Sequence, residues 1–215
     1  MESQVRGGTR WKRFAVVMVP SVAATAAIGV ALAQGALAAS FSVSGQSFKV
    51  TAKELVGTGF SQYGAYDKGV DGNHAVAVSA FDKATITKMC QSVVTPNIPL
   101  IGTVTLRLEA GDSNKDSGKV HAKQLYIDVQ DLEADATFTN IDIGVAAGAI
   151  NKGPRQKQGE VEGKQTSPGG FAQQADQAVL KDVKQTAWAT TAGTFQLSGL
   201  HMSLKKGSGE GVECY

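Results

Sequence analysis

The chain has 215 residues and a formal charge of +2, with 42% hydrophobic, 7% aromatic and 19% charged residues, 25 glycines and only 2 cysteines. This excludes a wholly disordered chain, a collagen, a disulfide-dense miniprotein and a polytopic membrane protein, and leaves room for one globular domain or two small ones. Arg6, Arg10, Lys12 and Arg13 stand against Glu2 within residues 1–38, so the body is near neutral and lacks the clustered cations that would make nucleic acid its main partner.

Phe14 to Ala33 carries no charge, follows Arg10-Trp11-Lys12-Arg13, and leads into Ala36-Leu37-Ala38, with small residues where a signal peptidase reads them. The pattern predicts an export signal at 1–38 cut between Ala38 and Ala39. An apolar run of about 20 residues is also long enough to span a bilayer, so the alternative is a retained N-terminal anchor through residues 14–33, basic end inside. Both place 39–215 outside the cytoplasm, as a single extracytoplasmic β-rich domain that is either secreted or anchored to the outer face of the membrane.

From Phe41 onward the apolar residues recur with period two, the mark of strands with one buried face. Phe41, Val43, Phe48, Val50 and Ala52 form one set, and Val104, Leu106, Leu108 and Ala110 another. The longest run takes Val120, Ala122, Leu125, Ile127, Val129, Leu132, Ala134, Ala136, Phe138, Ile141, Ile143 and Val145. Its spacing slips from two to three at intervals, which predicts several strands or one strongly curved one with bulges. Polar residues between the apolar ones point to a wet second face and hence to antiparallel sheet. The predicted class is mainly β, an antiparallel sandwich or curved amphipathic sheet.

Turn signals punctuate the strands at Gly69-Val70-Asp71-Gly72-Asn73 and at 112–118, the latter read as a hairpin loop joining strands 103–110 and 119–129. Residues 151–170 offer almost nothing to bury and read as a mobile surface loop. Phe171, Ala175, Ala178, Val179 and Val183 fall near helical spacing, so a short helix is expected over 171–184. Residues 207–211 read as a terminal linker. A weak repeat matches 49–55 to 119–125 and 84–92 to 178–186, raising the prospect of two related β halves; the second match requires 178–186 to be extended and so competes with the helix. In an exported chain the two cysteines most simply pair, Cys90 with Cys214, pinning the C-terminal tail. The rival, a reactive Cys90, needs a neighbouring base and a reducing setting.

Chemical motifs are sparse. There is no Gly-x-Ser-x-Gly elbow of the kind that presents a hydrolase serine. His74, His121 and His201 are scattered, without zinc-ligand spacing, and are expected in surface or hydrogen-bonded structural roles. Asp112-x-Asn114-x-Asp116-x-Gly118 has the alternating oxygens of a calcium loop but lacks its sixth-position Gly, here Ser117, and its twelfth-position Glu, here Lys123. Asp128, Asp131, Glu133 and Asp135 could supply paired carboxylates for glycoside hydrolysis, but Asp131, Glu133 and Asp135 share a face opposite the apolar one and should meet water. No catalytic, cofactor-binding or metal residue is nominated.

The run Ala33-Gln34-Gly35-Ala36-Leu37-Ala38-Ala39-Ser40-Phe41-Ser42-Val43-Ser44-Gly45-Gln46-Ser47-Phe48-Lys49-Val50, with Gly59-Phe60-Ser61-Gln62-Tyr63-Gly64, Met89-Cys90-Gln91-Ser92-Val93 and 185–195 after it, resembles a family of exported streptomycete proteins of uncharacterised function. Members of that family are frequently labelled cholesterol esterase, so the resemblance implies hydrolysis of sterol or other lipid esters, without a motif that assigns a catalytic residue. The residues themselves point to a noncatalytic cell-envelope β protein that binds a lipid or another apolar partner.

Overall fold

The computed structural model describes residues 44–113 and 115–215. The export segment 1–38 with its cut between Ala38 and Ala39, the apolar span 14–33, and Phe41 and Val43 lie outside the described residues, as does Asn114.

Eight strands and little helix make the expected mainly β structure. They are β1 (Phe48–Gly69), β2 (Gly72–Thr87), β3 (Met89–Ile98), β4 (Gly102–Ala110), β5 (Val120–Thr139), β6 (Asp142–Ala146), β7 (Phe171–Gln196) and β8 (His201–Lys206), with one short helix, α1 (Gln158–Glu162). They form one antiparallel sheet in the order β6-β7-β5-β2-β1-β3-β4-β8. β7 also pairs with β1, from Phe48↔Ala187 to Ala52↔Val183, so β1, β2, β5 and β7 close on themselves as a ring. Closure there pairs the start of β1 with β7 and shields it from becoming an edge, while β6 and β8 stay the outer strands of the sheet.

The slips in the apolar pattern are where the backbone bends. β5 is one curved strand: Gln124, at the Ala122-to-Leu125 slip, has φ 49, and the Val129-to-Leu132 slip coincides with register shifts against β7 between Asp128 and Asp131. Asn140, with φ 52, turns the chain into β6. β2 and β3 form a nearly continuous strand broken at Lys88, φ 52. On its far side from β1, β2 takes β5 as neighbour, whereas β3 takes β4. The sheet therefore forks at Lys88, and β3, β4 and β8 leave the ring as a flange. Because β4 and β5 belong to different branches, the 112–118 segment crosses the fork. It is not the expected hairpin loop, although it is a turn at the surface, with a 3₁₀ turn at Asp116–Gly118.

The helix expected over 171–184 is instead the first half of β7. Its helix-like spacing mixes residues from both faces of the strand, with Phe171 exposed and Ala175, Ala178 and Val183 in the inner cluster, and its last interval spans the kink at Asp182, φ 49; ladder partners on both edges, β5 on one and β6 and then β1 on the other, satisfy its backbone in the extended form. The repeat fares better in burial than in pairing. Val50, Ala52 and Leu55 are buried, as are Val120, Ala122 and Leu125, and the matched residues Lys88 and Asp182 both have positive φ. Glu54 pairs with Thr87, however, while the counterpart of Thr87, Lys181, pairs with Asp135 rather than with Gln124, the counterpart of Glu54.

Alternate faces of the ring strands feed two apolar clusters. Phe60, Phe81, Leu125, Ile127, Leu180 and Val183 point inward. Tyr63, Val76 and Val78 point outward and are covered by Ala147, Ile150 and Ala172. Residues 147–170 thus form a strap laid across the outside of the ring. It approaches β1 closely at Gly153, where a Cβ would lie 2.6 Å from the Phe60 carbonyl carbon.

Disulfide Cys90–Cys214 is formed. The tail beyond β8, read as a linker, is folded back over the flange: the Gly207 amide donates to the Thr103 carbonyl at 2.8 Å, Arg107 donates to the Glu213 carbonyl at 2.9 Å, and Lys49 pairs with Glu213 at 2.9 Å.

Candidate functional site

Two features of the ring concentrate chemistry. The first is a cavity of about 250 Å³ inside it. Its walls are the inward side chains of all four ring strands, with Phe60, Phe81, Leu125, Leu180 and Phe138 supplying much of the apolar surface. Gln91, Gln185 and Thr190 add polar groups to the wall, and a hydrogen-bonded strip crosses it: the Gln173 side-chain amide donates to Gln62, whose own amide donates to the Ser79 hydroxyl at 2.8 Å. Leu132 and Phe195 line the same space yet are 38% and 37% exposed, so the cavity reaches solvent beside them. The small inward residues Ala52, Ala134 and Ala136 leave this space unfilled.

The second feature lies beneath the strap. Lys157 precedes α1 and Glu160 lies within it, so the i,i+3 spacing puts both on one side. Asp128 comes from the outward face of β5, and Tyr63 from that of β1. The Lys157 ammonium donates to both Asp128 oxygens, at 3.1 and 3.0 Å, and lies 2.8 Å from Glu160 Oε1. Tyr63 donates its hydroxyl to Glu160 Oε2 at 2.8 Å, and the Tyr126 ring lies 5.6 Å from the ammonium. The charged side chains are sealed off, at 6% exposure for Lys157, 2% for Asp128 and 4% for Glu160. Asp67 is buried nearby, with Oδ2 unpartnered. Two carboxyl groups thus meet one ammonium in a buried site, and Asp67 acts on them through its charge. Burial pushes Asp128 up to about 7, against the pull of Lys157 and with help from Asp67. Burial likewise raises Asp67 and Tyr63. Burial pulls Lys157 down, but Asp128 and Glu160 more than offset it, so its affinity for a proton is raised.

Sequence reading grouped Asp128 with Asp131, Glu133 and Asp135. The structure separates them: the latter three are exposed, with Glu133 opposite Lys184 and Asp135 opposite Lys181, while Asp128, before the register shift, is buried. It also missed Lys157 and Glu160, whose one-turn spacing was the only signal they gave. His74 stacks on Trp188, with ring centroids 3.5 Å apart, and bonds to Asp71 at 2.9 Å. His121 bonds to the Asp116 carbonyl at 2.9 Å, and His201 is exposed on β8. Among the described residues no serine hydroxyl is hydrogen-bonded to any of them, and no group of three His, Cys, Asp or Glu side chains is arranged to hold a metal ion.

DUF6230, a family of unknown function, matches residues 44–215. The chain belongs to this family. The DUF6230 match begins at the start of the described body and takes in the whole ring, strap, flange and pinned tail. No curated protein and no solved structure matches the chain. The Cys90–Cys214 bridge of this DUF6230 chain is consistent with an extracytoplasmic protein. Among the described residues no helix is long and apolar enough to cross a membrane.

Proposed function

We propose that the chain is an exported or membrane-anchored protein of the cell envelope that binds a lipid or other apolar molecule in the ring cavity without transforming it. The supporting observation is the cavity itself: mostly apolar, carrying a hydrogen-bonded strip of Gln173, Gln62 and Ser79 with a few further polar groups, and open beside Leu132 and Phe195. A few placed polar groups in an apolar hollow are the general form of a small-molecule site. At about 250 Å³ the hollow falls below the usual 300–1,000 Å³ range, which favours a slender acyl or isoprenoid-like chain, its polar end at Gln62 and Gln173, over a bulky sterol ester. The basic-then-apolar N-terminus and the disulfide support the location. The esterase reading rests on the labels of similar proteins alone.

Native mass spectrometry of the purified full chain, with titration of a fluorescent fatty acid, tests the proposal. A lipid adduct or saturable binding is expected, and Ala136→Phe, which fills the cavity near its open side, should abolish it while the circular dichroism spectrum stays β. No adduct and no probe binding would overturn it. Hydrolysis of a chromogenic ester by the same preparation would instead restore the esterase reading.

A further inference from the structure

The cluster beneath the strap does more than neutralise charge. An amine that meets both oxygens of a carboxyl group at 3.0 and 3.1 Å is held beside the carbon between them in ion-pair geometry, and a turn of the Asp128 carboxyl about its Cβ–Cγ bond presents the face of that carbon to the nitrogen for attack. A second carboxylate, Glu160, touches the same nitrogen at 2.8 Å, and Tyr63 holds its other oxygen. Water is shut out of the site, and the strap and the ring hold the partners in place. We propose that Lys157 and Asp128 condense into a side-chain amide that fastens the strap to β5, with Glu160 carrying the protons.

The step balances within the cluster. Proton transfer from the Lys157 ammonium to Asp128 gives a neutral amine and a neutral acid; this is the minor form, because Asp128 and Glu160 together hold the proton on Lys157, and it is the form that reacts. Asp67 and Glu160, both acidic and close by, strengthen the hold of Asp128 on that proton; Tyr63, Tyr126 and, through Asp67, His74 complete the titratable surroundings. Lys157 Nζ attacks Asp128 Cγ, forming the C–N bond. Glu160 takes a proton from Nζ and delivers it to the departing hydroxyl of Asp128, the C–O bond breaks, and one water leaves. Overall the ammonium gives up two protons and the carboxylate one oxygen, with no oxidant, cofactor or second substrate. Held partners react with effective concentrations of about 10⁵–10⁸ M, and the closed site keeps water from reversing the bond. This inference is independent of whether the cavity binds a ligand.

Peptide mapping of the purified full chain decides it, because the readout does not depend on N-terminal processing. Trypsin should leave Lys157 uncut and release residues 124–152 joined to 156–164, lighter than the two peptides together by one water. Lys157→Arg and Glu160→Gln should yield the separate peptides at full mass, with the Cys90–Cys214 bridge and β circular dichroism retained. Asp128→Asn should expel ammonia instead and arrive at the same joined mass as the parent. Separate full-mass peptides, cut at Lys157, from the folded parent chain would overturn the proposal, as would water loss that persists in Lys157→Arg.

Discussion

Cutting the Cys90–Cys214 bridge measures what the pinned tail does for the fold. The bridge joins residues 124 apart in sequence, and a closed loop of that length withdraws about 5 kcal/mol of conformational freedom from the unfolded chain in the chain-entropy treatment. The reduced chain still has the tail's other ties. Of these, the Lys49–Glu213 pair is partly exposed and is worth at most about 1 kcal/mol, so it cannot replace the bridge. The suitable variant is Cys90→Ala with Cys214→Ser: Cys90 is buried, and a serine there would bury a hydroxyl without a prepared partner. A loss of about 5 kcal/mol corresponds to a melting temperature lower by roughly 10–20 °C for a chain of this size, and to a urea midpoint lower by about 2 M. Thermal and urea unfolding followed by far-ultraviolet circular dichroism, parent against variant, provide the comparison. Coincident midpoints, or a loss no larger than that of the exposed ion pair, would refute the reasoning.

Four further outcomes follow from the ring and strap. Leu125→Ala empties an inward position that is fully buried and should cost about 2–5 kcal/mol in urea unfolding; a cost under 1 would mean that the ring interior is not the stabilising core. Gly57→Ala places a Cβ 2.2 Å from the Phe81 ring and should cost about 1–3 kcal/mol through overpacking, read by the same assay. Gly153→Ala pushes the strap off the β1 backbone and should raise amide hydrogen exchange across 151–165 while β2 and β5 stay protected; uniform protection would show that the strap does not lie there. The fourth concerns pH. Where Asp128 remains a free carboxyl, as in Glu160→Gln, burial and Asp67 still hold its folded value above its unfolded 3.8, toward the parent's value of about 7, with only the smallest push, that of Glu160, removed. The fold therefore takes up a proton, and this contribution is full below pH about 4 and falls away as pH rises to about 7, by on the order of 4 kcal/mol. Adding Asp128→Asn to Glu160→Gln should remove that slope, whereas equal slopes in the two chains would place the proton elsewhere.

The ring was legible in the sequence because its strands obey a simple rule on one face. Inward residues such as Leu125, Ile127 and Leu180 had to be apolar wherever they met the interior, and each slip in their spacing marked a real bend, at Gln124, at Asp128–Asp131 and at Asn140. Which strands became neighbours was not legible. The fork at Lys88 gives β4 and β5 different partners, although a turn-rich segment joins them in sequence, and nothing in residues 112–118 distinguishes a hairpin from a crossing. β7 resembles a helix in part for a related reason, since apolar residues taken from both faces of a strand, with one kink at Asp182, give the same three- and four-residue intervals as a helix.

The strap shows where composition misleads most. Residues 151–170 read as solvated because they are polar, yet Lys157, Glu160 and Gln165 are buried. A polar side chain can leave water when its partners are fixed in place beforehand, and those of Lys157 and Glu160 come from elsewhere in the chain: Asp128 lies 29 residues from Lys157, and Tyr63 lies 97 from Glu160. Apolar burial is announced by residue type alone, whereas charged burial depends on a meeting of specific atoms that no local window contains. The unpartnered Oδ2 of Asp67 and the meeting of two carboxyls at one ammonium then become informative. If the strap needed only to cover Val76 and Val78, a leucine at 157 would serve with less penalty. A buried lysine held against an acid, with a second carboxylate in contact, is costly as a plain seal, and that cost is the physical reason to look there for a covalent bond.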